Sequence, residues 1–189
     1  MIHIIKILSM TLLLVAILFG FLYFSGSRLL PVVSNNPISE NAGVNLLDKV
    51  GSRASFFDLP DTKSGRIKLS DFDSTPLIIF FWSTWDANSS NQVKIFNDYL
   101  ANEALSKRSI VKIVGINSQE DMSIASSFMR RGGYSVPVAV DSSGAITENY
   151  GVKGLPTIFF VDRHGIIRQV WGGVLSLRDI VDKVEVILK

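Results

Sequence analysis

Residues 77–92 read LIIFFWSTWDANSSNQ, and the parsing of this stretch settles the rest of the chain. Leu77 to Trp82 are six consecutive apolar residues rich in β-branched and aromatic side chains, which suits a strand buried on both faces. The polar passage that follows carries helix-start chemistry. Asp86 can accept a hydrogen bond as an N-cap and favours the positive end of a helix dipole, each effect worth on the order of 1 kcal/mol. Ser89 and Gln92 offer a second start, an S-x-x-Q capping box one turn later. Beyond it, Val93, Phe96 and Leu100 fall at i, i+3 and i+7 with Ile95 and Tyr99 beside them. That stripe predicts a helix over residues 89–107 lying on a sheet.

Working outward, residues 109–117 (SIVKIVGIN) alternate as a second strand, and residues 123–131 form a helix ended by Gly132 and Gly133. A strand at residues 136–141 and a short helix at residues 145–150 follow. Residues 162–165 (DRHG) are turn chemistry between strands at residues 158–161 and 166–171, which predicts a hairpin. The last segment, residues 176–189, places Leu177, Ile180, Val184 and Ile187 or Leu188 on one helical face, with Ser176 as its cap. Strand, helix, strand, helix, hairpin and final helix define an α/β protein with a mixed central sheet covered by helices on both faces. The thioredoxin fold has this order.

Composition narrows the chemistry. With 189 residues, 47% of them hydrophobic, the chain holds one domain plus extensions. A net charge of +2 without long single-sign runs gives no reason to expect nucleic acid. Cys is absent, which excludes disulfides, thiolate nucleophiles, iron-sulfur clusters and cysteine-ligated zinc on this chain. His3 and His164 are too few and too separated for a metal cage or a Ser/His pair, so no metal and no cofactor is expected.

The run from Ile7 to Phe24 has no charge, and at about 1.5 Å per residue it makes roughly 27 Å of helix, close to the thickness of a bilayer core. Lys6 before it and Arg28 after it lean toward a cytoplasmic N-terminus. Small residues at Ser25 and Ser27 admit a cleaved secretory signal, but the run exceeds the usual 7 to 15 of a signal core, which favours an anchor. Either way the folded part is exported. The expected organisation is an anchor or signal at residues 1–27, a Pro/Asn/Ser/Gly-rich linker at 28–46 and a folded domain at 47–189. The expected location is the inner or cytoplasmic membrane, single-pass, with the C-terminal domain on the periplasmic or extracellular side.

Two passages carry a family resemblance: residues 67–85, IKLSDFDSTPLIIFFWSTW, and residues 150–173, YGVKGLPTIFFVDRHGIIRQVWGG. With the N-terminal run, they make the chain resemble the membrane-anchored thioredoxin-like proteins of the TlpA and ResA type, including those serving cytochrome c maturation. The first passage usually ends F-W-A-T-W-C-x-x-C there, and in the second the proline is cis. Aligned through Trp85, the family's cysteines fall on Asp86 and Ser89, its helix glutamate falls on Gln92, and its usual intervening proline is missing from Ala87 and Asn88. The resemblance implies a shallow groove for an extended peptide, walled on one side by the helix start, with Trp82 and Trp85 just before it, and on the other by Leu155, Pro156 and Thr157.

Disulfide exchange needs an attacking thiolate and a leaving thiol, and peroxide reduction needs a peroxidatic thiol. Asp86 and Ser89 supply neither. Strand addition depends on backbone groups and apolar contacts, so it survives loss of sulfur. The expectation is a membrane-tethered domain without redox cysteines that binds an extracytoplasmic polypeptide as adaptor or chaperone. Its alternative is the thiol-disulfide oxidoreductase that the family implies, which the missing cysteines oppose. Hydrolysis by Asp86 and Ser89 lacks a histidine or lysine placed to activate the serine.

Overall fold

The computed structural model describes residues 46–106 and 110–189. The expected anchor and all of the expected linker except Leu46 lie outside the described residues. Among those described, no helix is long and apolar enough to cross a membrane.

Strand β1 (Asp58–Pro60) pairs antiparallel with β2 (Arg66–Lys68), a small hairpin that the sequence pattern did not announce. Then come β3 (Leu77–Trp82), α1 (Ala87–Ser106), β4 (Lys112–Ser118), α2 (Met122–Gly132), β5 (Val138–Asp141), α3 (Ala145–Asn149), β6 (Thr157–Val161), β7 (Ile167–Gly172) and α4 (Leu177–Ile187). The main sheet has the order β5-β4-β3-β6-β7. Strands β3, β4 and β5 run parallel, whereas β6 is antiparallel to β3 and β7 to β6. This is the thioredoxin-like α/β fold with a mixed sheet.

All six residues of β3 are buried, as a central strand requires. Its alternation feeds two cores. Ile78, Phe80 and Trp82 pack with Val93 and Phe96 of α1, Met129 of α2, and Ile180 and Val184 of α4. Leu77, Ile79 and Phe81 pack on the other face with Phe57, Ile67, Tyr150 and Val152. Helices α1 and α2 share a face because successive right-handed crossovers move the chain in one direction, from β3 to β4 to β5. Burying each such aliphatic or aromatic side chain contributes about 1.5–3 kcal/mol. Gly115 in β4 makes room for this packing. A Cβ there would come within 2.7 Å of Phe80 Cζ and 2.9 Å of Trp82 Nε1.

Three expectations need correction. Helix α1 begins at Ala87, not at residue 89, because Asp86 caps it. Leu177 is exposed, since it lies in the first turn of α4 beyond the reach of the core, which Ile180, Val184 and Ile187 meet. The strand expected over 109–117 starts at Lys112 and runs on to Ser118. The cap at Ser176 is as expected: the Asp179 N–H donates to Ser176 Oγ at 3.3 Å, and the Ser176 N–H donates to Asp179 Oδ2 at 3.1 Å.

Candidate functional site

Phe81 pairs with Thr157, so the chain leaving β3 and the chain entering β6 meet at one end of the sheet. Residues 83–86 and 154–156 therefore border the same region. The Leu155–Pro156 peptide bond is cis, as the resemblance implied. Around it, the Gly173 N–H donates to the Pro156 carbonyl at 2.8 Å, and Thr157 Oγ1 donates to the Gly154 carbonyl at 2.7 Å. Pro156 and Thr157 are buried and Leu155 is half-buried. The Leu155 N–H and carbonyl make no hydrogen bond among the described residues, leaving one donor and one acceptor at the loop.

On the side of the helix start, Trp85 is 70% exposed, while Trp82, also expected beside the groove, is wholly inside the core. Asp86 is half-buried and holds the helix start: the Ser89 N–H donates to its Oδ2 at 2.7 Å, and the Ser90 N–H to its carbonyl at 3.0 Å. This realises the first of the two starts read from sequence. The S-x-x-Q box is not formed. Ser89 and Gln92 are both fully buried on the inner face of α1, where Gln92 Oε1 accepts the Leu175 N–H at 2.7 Å and ties the helix to the loop before α4. Burial withdraws Ser89 from any role as an exposed nucleophile.

A residue that sequence reasoning missed organises the loop before the helix start. Glu120, 8% exposed, lies between β4 and α2. Its Oε2 accepts the Thr84 N–H at 2.7 Å and Asn117 Nδ2 at 2.7 Å, and its Oε1 accepts Thr84 Oγ1 at 2.6 Å. Ser83 Oγ adds a bond to the Ser118 carbonyl at 2.7 Å. Together these fix the two residues before Trp85 to the end of β4. The only signal in the sequence is an Asn near the end of a strand and a Glu three residues on, too weak to single out. Behind the cis-proline loop, Tyr150 donates to the Ser55 carbonyl at 2.8 Å, and burial pushes its phenol above the usual range. Among the described residues, no group of three or more His, Cys, Asp or Glu side chains could hold a metal ion.

A mixed sheet with a cis-proline loop facing a capped helix start defines a thioredoxin-like domain. Residues 50–170 match the AhpC/TSA family, and the chain belongs to that family. Among its relatives is the thiol-disulfide oxidoreductase ResA of Bacillus subtilis (strain 168), 32% identical over 127 residues that cover 67% of this chain and 69% of that one. ResA of Geobacillus kaustophilus (strain HTA426) is 29% identical over 131 residues, covering 69% and 74%. The fold likewise matches the crystal structure of a thiol:disulfide interchange protein of the thioredoxin family from Chlorobium tepidum TLS. There the TM-score is 0.64 and the identity 20%, over 78% of this chain and all of that one. The resemblance read from the two passages is thereby borne out, in a chain that contains no cysteine.

Proposed function

We propose that this chain is a polypeptide-binding member of its family: a membrane-tethered thioredoxin-like domain, outside the cytoplasm, that serves as an adaptor or chaperone without exchanging electrons. The run from Ile7 to Phe24 anchors it, residues 28–46 act as the tether, and residues 47–189 form the binding domain. The observation that carries the reading is the pairing of exposed Trp85 with the unpaired Leu155 backbone at one end of the sheet. An extended peptide bonds to such a backbone by strand addition, and an exposed indole supplies apolar area at low entropic cost. Trp85 and Leu155 are the proposed contact residues, with Pro156 and Thr157, buried beneath them, holding the shape of the loop. Asp86, Ser89 and Gln92 stand at the family's dithiol positions as helix cap and core, with no catalytic role.

The test is a titration of the full-length chain with a permanently unfolded, carboxymethylated polypeptide, followed by tryptophan emission. Saturable binding is expected, with a W85A variant weaker by about tenfold or more, as for a central aromatic contact. Absence of saturable binding rejects the proposal. The names of the relatives favour a second reading, thiol-disulfide exchange. Insulin reduction in the presence of dithiothreitol separates the two: the rate is expected to equal that of buffer, because no thiol is present to carry the exchange.

A further inference from the structure

The unused half of the Asp86 carboxylate carries an inference that rests on the groove reading and sharpens it. Asp86 Oδ2 is taken by the Ser89 N–H, but Oδ1 has no partner among the described residues, and the side chain is half-exposed beside the most exposed large apolar residue described, Trp85. Among the described residues no cation pairs with it. The ion pairs found are Arg66 and Lys68 with Asp58, and Arg168 with Asp162, all away from this loop, and Lys153, exposed before the cis-proline loop, pairs with neither Asp86 nor Glu120. Glu120, whose bonds come only from the neutral donors of Thr84 and Asn117, adds a second carboxylate behind the same loop.

We propose that Asp86 and Trp85 together select a lysine or arginine side chain in the bound polypeptide. A free carboxylate oxygen accepts a charge-assisted hydrogen bond from an ammonium or guanidinium group, and an adjacent exposed indole face attracts the same cation. The dipole of α1 opposes a cation at its N-terminus with roughly half a positive charge, less than the full negative charge of the carboxylate. Where the relatives' motif places a sulfur atom against the substrate, this chain places an anion. The change converts a position for exchange into one for recognition.

The test uses three nine-residue unstructured peptides, identical except for arginine, citrulline or norleucine at the centre. Each is titrated by fluorescence anisotropy against the full-length chain and its D86N variant. Asn is as good an N-cap as Asp, so D86N removes the charge and keeps the helix start. The arginine peptide is expected to bind about fivefold to thirtyfold more tightly than the other two, from one exposed ion pair and one cation–π contact. That advantage is expected to shrink with salt and to fall at least threefold in D86N, by order of magnitude for the lost pair. Equal binding of the three peptides overturns cation selection while leaving the groove intact. An arginine preference undiminished in D86N overturns it too, because the cation is then read elsewhere. Failure of all three to bind overturns both this inference and the groove.

Discussion

Asp86 Oδ2 receives the Ser89 N–H at 2.7 Å, and removing that acceptor leaves a helix-start donor to water. Asp86→Ala is expected to lower stability by about 1 kcal/mol, and Asp86→Asn by only a few tenths, in urea unfolding followed by circular dichroism. Equal losses in both variants would mean that charge, not capping, sets the contribution. The cap was legible because Asp is among the best N-cap residues and α1 starts immediately after it. The rival box at Ser89 and Gln92 failed for a reason also present in the sequence: 89, 92, 93 and 96 fall on one helical face. The two polar residues share the buried side with Val93 and Phe96. An apolar count passes over them, since a buried polar group is placed by a specific partner, here the Leu175 N–H, that no periodicity encodes.

At the scale of elements, the turn between β6 and β7 was readable from Asp162 to Gly165, and its chemistry proves to be concentrated in one carboxylate. Asp162 Oδ1 accepts the His164 N–H at 2.8 Å and the Ile166 N–H at 3.0 Å, and Oδ2 accepts Arg168 Nε at 2.6 Å. Burial raises its pKa, but the Ile166 bond, the Arg168 bond and charge, and the His164 bond outweigh burial and hold it below the usual carboxylate range. A folded pKa depressed below the unfolded value of about 3.9 gives stability that is fully present above that value and lost as pH falls through the folded pKa. The urea midpoint is therefore expected to drop below about pH 4, and D162N to flatten that acid limb. Asp58 and Asp179, lowered mainly by Arg66 and by Ser176, contribute to the same limb, so a residual slope in D162N is expected. An acid limb unchanged in D162N would contradict the role given to this turn. The β1–β2 hairpin, by contrast, went unread because strands of three residues are too short for alternation to register.

For the molecule as a whole, the five-stranded order, the cis-proline loop and the helix start form the frame of a chain whose relatives are named thiol-disulfide oxidoreductases. Most of that frame was legible, because a fully apolar β3, a glycine-ended α2 and a DRHG turn each obey local rules. The loop held by Glu120 was not, because its three bonds join residues up to 36 positions apart through one carboxylate whose partners no local pattern encodes. What the frame is used for depends on whether a chain lies across it. The most direct measurement is amide chemical-shift mapping of the isotopically labelled full-length chain with an unstructured, arginine-centred peptide. The account predicts saturable shifts concentrated at residues 84–86 and 154–157. Shifts concentrated instead at the opposite end of the sheet, around Arg53, Asp73 and His164, or no shifts at all, would contradict it.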